Sequence, residues 1–174
     1  ACGGQGAPLV PIGDKFLFSE YTFCLNLGGF SNISFEKDDQ RVAFDICPVN
    51  IVMNHYTRKI GLEYDDRGKM ASKGVLNKEL LDELNNLPFY KDEQPKSLGY
   101  EYIVETVLPM IDQYKLRLED VLRTFVEHVA FQIANVVNIS SDQNLGEKML
   151  VTGGGAFNDF LIDRLRAVSY THLR

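Results

Sequence analysis

Met149-Leu150-Val151-Thr152-Gly153-Gly154-Gly155-Ala156 decides the fold of this chain. A short apolar run leads straight into three glycines, and Asn158 and Asp159 then precede Phe160, Leu161, Ile162 and Leu165. That order reads as a buried strand, a glycine turn, a helix cap and an amphipathic helix. Glycine has no Cβ, so such a turn reaches positive φ and lets a ligand come close to the backbone. Free N–H groups at the helix start favour an anionic or polar ligand. A second glycine turn lies upstream in Leu25-Asn26-Leu27-Gly28-Gly29-Phe30-Ser31-Asn32. Two glycine loops, each leaving an apolar strand, suggest a nucleotide held between two backbone cradles.

Outward from these loops, Tyr21 to Leu27, Phe30 to Glu36 and Arg41 to Phe44 read as three short consecutive strands, a β-meander turned at Gly28-Gly29 and at Asp38-Asp39-Gln40. A helix is expected between Pro48, suited to a first turn, and Gly61, suited to the position past a helix end. Residues 63–76 read as polar turns. Asn77 can cap a helix through Leu80, Leu81 and Leu84, and another is expected from Tyr100 to Ile111, kinked or ended early by Pro109. The longest apolar stripe runs from Leu118 to Ile139 through Val121, Leu122, Phe125 and Val129, a helix buried between layers. The expected fold is α/β: a mixed sheet with a β-meander and covering helices.

The chain has 174 residues and is 45% hydrophobic, enough for a core in one domain or one lobe of something larger. A net charge of −6 argues against non-specific binding to nucleic acid, while backbone amides can still bind phosphate. No apolar run approaches about 18 residues, so no membrane span is expected. Three cysteines, Cys2, Cys24 and Cys47, favour reduced thiols and a cytoplasmic protein over a Cys24–Cys47 bridge. Scattered His55, His128 and His172 form no ligand pair, and no metal site is expected of them. Both ends are expected to be cut: Ala1 opens inside a glycine-rich phrase, and Ser169 to Arg174 breaks the apolar period.

Each motif also has a plain reading. The triple glycine serves as a tight turn in many α/β proteins, although three in a row cost chain entropy. A Rossmann dinucleotide loop fits poorly, because the third glycine of its spacing is missing. Gly28-Gly29 can be a hairpin turn only, with Asn32 a polar strand residue. Asp45 and Asn50, in Ala43-Phe44-Asp45-Ile46-Cys47-Pro48-Val49-Asn50, read first as caps where a strand ends and a helix starts. Glu101 favours a helix dipole, Asp65-Asp66 reads as a solvated turn, Asp112, Glu119 and Asp120 as surface charge, and His128 as a core histidine.

Taken in order, Gly3-Gly4-Gln5-Gly6-Ala7-Pro8-Leu9-Val10-Pro11, Leu25-Asn26-Leu27-Gly28-Gly29 with Asn32, Ala43-Phe44-Asp45, Pro95-Lys96-Ser97 with Gly99 and Glu101, and Val151-Thr152-Gly153-Gly154-Gly155-Ala156 with Asn158 resemble the anhydro-N-acetylmuramic acid kinase family. The resemblance spans nearly the whole chain, and its triple glycine is shared with the wider sugar kinase, Hsp70 and actin superfamily. It implies one lobe of an actin-like ATPase fold, with residues 1–20 the end of the N-terminal lobe or an interlobe segment and 21–168 an incomplete C-terminal nucleotide-binding lobe; the broken apolar period over 169–174 reads as a non-native tail.

The resemblance further implies ATP with Mg2+ as cofactors and an anhydro-amino-sugar substrate. The family opens 1,6-anhydro-N-acetylmuramic acid with water and phosphorylates it to N-acetylmuramic acid 6-phosphate in cell-wall recycling. ATP would lie on Gly28, Gly29, Asn32, Gly153, Gly154, Gly155 and Asn158. Gln5, Gly6, Asp45, Asn50 and Glu101 would lie toward the sugar. The first phosphate loop and the general-base aspartate are expected upstream of Ala1, so this chain alone is expected to be inactive. Its uncovered cleft surface would favour self-association, a homodimer included. The family continues Phe-Asp with Thr-Gly-Pro-Gly-Asn, whereas Ile46-Cys47-Pro48-Val49 stands here before Asn50. The alternative is a non-catalytic or regulatory nucleotide-binding relative on the same fold.

Overall fold

Phe23, Leu25 and Leu27 alternate with Cys24 and Asn26 in strand β1 (Phe23–Leu27), so one face of the strand is wholly apolar and buried. The computed structural model describes residues 18–37, 40–91, 97–141, 147–168 and the backbone of 172–173. The opening glycine phrase with Gln5 and Gly6, Cys2, the Asp38-Asp39 turn and Pro95-Lys96 lie outside the described residues. Strands β2 (Phe30–Lys37) and β3 (Gln40–Pro48) complete the expected meander, antiparallel throughout. Strand β4 (Lys148–Thr152) returns to pair parallel with β1, Leu25 opposite Val151, and β5 (His172–Leu173) pairs parallel with β4. The sheet is mixed, in the order β3-β2-β1-β4-β5.

Strand β3 runs four residues further than the pattern suggested, through Cys47 and Pro48. It is an edge strand, where a proline can forgo its missing N–H. A register shift between Ser31 and Asn32 bends the pair there. Pro48 therefore closes a strand rather than opening a helix, and helix α1 (Asn50–Arg58) starts two residues later. It ends as expected before Gly61: Gly61 N–H donates to the Arg58 carbonyl at 3.0 Å and Leu62 N–H to that of Thr57 at 3.1 Å, a Schellman close.

Helix α2 (Lys78–Asn85) is capped by Asn77, whose Oδ1 accepts from Leu80 N–H at 2.8 Å. The next helix changes register along its length: α3 (Tyr100–Tyr102) widens into a π-helical stretch, Ile103–Val107, and resumes as α4 (Leu108–Gln113). Pro109 does not end it. The wide turns lie just ahead of the proline, where an α-helical partner for its absent N–H would have been needed.

Helix α5 (Leu118–Ser140) lies across the sheet and buries Leu122, Phe125, Val126, Val129, Ile133 and Val137. Helix α6 (Asp159–Val168) follows β4 and is tied to α5 by Glu127, which pairs with Arg123 at 2.8 Å and Arg164 at 2.5 Å. His128 is a core histidine, as expected. Tyr90 Oη lies 2.8 Å from its Nε2 and Asn85 Oδ1 lies 2.7 Å from its Nδ1, while Gln132 Nε2 donates to Asn85 at 3.0 Å. Since Asn85 Oδ1 can only accept, Nδ1 carries the proton and Nε2 accepts from Tyr90. Burial pushes the His128 pKa down to about 3.

Candidate functional site

The parallel pairing of β1 with β4 brings both glycine loops to the same end of the sheet. The three glycines of the second loop have separate jobs. Gly153 has φ +82, and a Cβ there would overlap Asn26 Oδ1 and come 2.8 Å from the Leu27 carbonyl. Gly155 is packed flat on β1, its would-be Cβ 2.7 Å from Leu27 Cβ. Gly154 alone is open: the nearest atom to a Cβ would be Asn50 Nδ2 at 3.7 Å. So the first and third glycines seat the loop on the sheet, and the middle one offers bare backbone to a cavity.

The loop does not run directly into a helix. A 3-10 turn, Gly154–Phe157, comes between, and α6 begins with Asn158 accepting from Leu161 N–H at 3.0 Å. With Asp159 in the first turn as well, the α6 start is already capped and acidic. Asn158 thus takes one of the N–H groups at the α6 start, and Asp159 sets a carboxylate beside the others.

The Gly28-Gly29 turn is gripped from the opposite side by the start of α1. Val49 and Ile51 N–H donate to the Gly29 carbonyl at 2.8 and 3.2 Å, and Asn50 N–H to that of Gly28 at 3.3 Å. Asn50 Nδ2 donates to the carbonyls of Leu27 at 3.0 Å and Gly28 at 2.7 Å. Asn50 is therefore no cap. Nor is Asp45, whose Oδ2 accepts from Leu98 N–H at 3.0 Å and Ser97 Oγ at 3.2 Å, pinning the segment that leads to Glu101 against β3. Glu101 is exposed in the first turn of α3. Asn32 stands in register between Asn26 of β1 and Asp45 of β3.

A cavity of about 590 Å³ opens beside Gly154, walled by Asn50, Asn54, Tyr64, Arg67, Phe157 and Asn158. A second, of about 630 Å³, lies beside Gly29, with Asn50, Asn54, His55, Arg58 and Tyr100 among its walls. The two share Asn50 and Asn54. His55 is shifted toward its neutral form by burial first and by Lys59 second, with Asp112 opposing.

Residues 62–70 were not singled out as a site by the pattern, yet Tyr64, Asp65, Asp66 and Arg67 form one wall of the first cavity. Asp65 is not a solvated turn: it is buried, and its carboxylate accepts from Met70 N–H at 2.8 Å and Ala71 N–H at 2.9 Å. Arg67 pairs with Asp159 at 2.9 Å, joining this wall to the glycine loop's wall. Asp112 is more than surface charge, since Tyr56 Oη donates to it at 2.9 Å. Asp120 likewise accepts from Val75 N–H at 2.7 Å. The signal that was legible for 62–70 is an aromatic, Tyr64, set in a polar turn between Gly61 and Gly68.

A mixed sheet of this order, covered by helices and carrying both glycine turns at one end, is a lobe of the actin-like ATPase fold. Among solved structures, the chain is similar to the activator of the 2-hydroxyisocaproyl-CoA dehydratase from Clostridium difficile with bound ADPNP, with TM-score 0.53 at 13% identity over 94% of this chain and 56% of that one. It is also similar to a xylulose kinase from Brucella ovis, with TM-score 0.52 at 11% identity, covering 87% and 34% respectively.

The anhydro-N-acetylmuramic acid kinase family matches residues 1–172, and the chain belongs to that family. It is 39% identical to the Haemophilus influenzae anhydro-N-acetylmuramic acid kinase over 179 residues, 93% of this chain and 47% of that protein. It is also 39% identical to the Pseudomonas fluorescens anhydro-N-acetylmuramic acid kinase over 175 residues, 95% of this chain and 47% of that protein. The chain thus spans about half the length of the curated relatives it matches. Among the described residues, no helix is long and apolar enough to cross a membrane.

Proposed function

We propose that this chain is the nucleotide-binding lobe of an ATP-dependent anhydro-N-acetylmuramic acid kinase. In that reaction water adds across the 1,6-anhydro bond and ATP gives its terminal phosphoryl group to the freed 6-oxygen, leaving ADP and N-acetylmuramic acid 6-phosphate. The observation that carries the reading is Gly154, bare backbone over a cavity of about 590 Å³ at the same sheet end as Gly28-Gly29. Family membership supports the sugar and the reaction. Peptidoglycan recycling in the cytoplasm is the setting that goes with it.

Gly153 to Gly155 and Asn158 would hold the adenosine end. Tyr64 and Phe157, both largely exposed, would supply flat apolar walls for the base. Gly28, Gly29 and Asn32 would lie toward the phosphates, whose charge Mg2+ neutralises when bound. Asp45 and Glu101 would lie on the sugar side, together with Gln5 and Gly6. Phosphoryl transfer rests on positioning and on charge neutralisation from both sides, so the other half of a full-length kinase is needed for turnover.

The test is mass spectrometry of the full-length gene product with ATP, Mg2+ and the anhydro sugar. ATP-dependent appearance of the 6-phosphate is expected. Tight ATP binding without any phosphorylated sugar would instead favour a non-catalytic relative.

A further inference from the structure

The start of α1 offers three N–H groups that a bare helix would present to an anion. Here Val49, Asn50 and Ile51 all give them to the carbonyls of Gly28 and Gly29. The helix end is therefore spent on shaping the hairpin. The Asn50 side chain adds two more bonds from a single nitrogen, to Leu27 and Gly28 carbonyls. The amide must stand with Nδ2 toward them, since a flipped amide would set Oδ1 against two carbonyl oxygens.

A peptide unit is planar, with its C=O and N–H on opposite sides. Holding the Gly28 carbonyl toward α1 therefore turns the Gly29 N–H away from α1. The Asn50 N–H holds the same carbonyl at 3.3 Å and its Nδ2 holds it more closely, at 2.7 Å; a Gly-Gly peptide, with no Cβ on either residue, depends on such bonds to keep its plane. The same Asn50 nitrogen lies 3.7 and 3.5 Å from the positions that Cβ atoms would take at Gly154 and Gly155. Asn50 also walls both cavities.

We infer that Asn50 is a positioning residue for the phosphate chain of the nucleotide. It fixes the Gly28–Gly29 peptide plane with its N–H as a donor. The inference rests on the nucleotide reading above, and it moves Asn50 from the sugar side to the junction of the two loops. Adenosine, lacking phosphates, does not use the hairpin and so does not depend on the strap.

The test is calorimetry of the full-length gene product with ATP and, separately, with adenosine. In Asn50→Ala the ATP Kd is expected to rise about tenfold, the worth of one hydrogen bond to a charged group. The adenosine Kd is expected to stay within about twofold, which also reports that the variant is folded. Asn50→Ser keeps one donor in a residue favoured at helix starts and is expected to fall between; the same comparison is read on it if Asn50→Ala does not fold. Unchanged ATP affinity in a variant that binds adenosine normally overturns the inference, as does equal loss of both ligands in a folded variant. Failure of the unsubstituted protein to bind either ligand overturns the nucleotide reading, and this inference with it.

Discussion

Gly68 lies flat against the side chain of Asn158, with no room for a methyl group between them. A Cβ on Gly68 would overlap Asn158 Oδ1 and come 2.6 Å from Phe160 Cβ. Its φ is +72, a region that costs an L-residue about 1–2 kcal/mol. Gly68→Ala is therefore expected to destabilise the protein by several kcal/mol once overpacking, about 1–3 kcal/mol, is added. Urea denaturation measures it; a loss below about 1 kcal/mol would mean that the two cavity walls are not clamped at this point.

The three glycines of the second loop should respond differently to substitution. Gly153→Ala and Gly155→Ala should lower the melting temperature, the first through its φ of +82 and the second through its contact with Leu27. Gly154→Val should leave the melting temperature nearly unchanged while abolishing ATP binding, because its side chain grows into the cavity. Calorimetric ATP titration and thermal melts on the same preparations separate these effects. Normal ATP affinity in Gly154→Val would remove Gly154 from the site.

Tyr64 and Phe157 should matter for binding and little for folding, since they are 62% and 78% exposed. Stacking of a base on an aromatic ring is worth about 1–3 kcal/mol. Tyr64→Ala and Phe157→Ala should each raise the Kd for adenosine about tenfold, by the same arithmetic. If both leave it unchanged, the base lies elsewhere.

Acid should weaken the fold through His128. Its pKa falls from 6.5 to about 3 on burial, so the native state keeps the ring neutral while the unfolded chain takes up a proton. The contribution is whole above pH 6.5 and drains away as pH falls toward 3. Within that window stability should drop by about 1.4 kcal/mol per pH unit from this group. His55 is shifted the same way and adds a smaller share. Urea midpoints at several pH values, compared between the wild type and His128→Gln, isolate the difference; identical slopes would show that His128 is not held neutral.

Cys47 should resist thiol reagents in the native state. It is fully buried, and burial pushes its pKa up to about 12 against the hydrogen bond from Ser31. Cys24 and Cys47 are in no disulfide and lie on strands β1 and β3 with β2 between them. Rapid labelling of Cys47 by a disulfide reagent without denaturant would mean that the β3 edge opens locally.

Much of this architecture was legible in the sequence because it is written in short periods. Alternation gave the meander, a short apolar run gave β4, and the long apolar stripe gave α5. The glycine runs marked both loops. What stayed hidden depends on partners far along the chain. Asp45 and Asn50 looked like caps, but their side chains reach backbone groups 53 and 22 residues away. Asp65 looked solvated until its carboxylate met two amides in a turn that the pattern does not define. Pro48 looked like a helix start because proline suits both a first turn and the end of an edge strand, and only the sheet order separates the two.

The parallel seam between β1 and β4 also sets an order of assembly. Thr152 Oγ1 donates to the Leu25 carbonyl, 127 residues earlier in the chain. The meander closes through turns of a few residues, but this seam must close over most of the polypeptide, at greater entropic cost and later. A ribosome that has released only as far as α5 has made the first glycine hairpin and its Asn50 strap without the loop that faces them. Nucleotide held between the two loops would then act as a bolt across the last joint to form. It would stabilise most the pairing that the chain finds hardest to make.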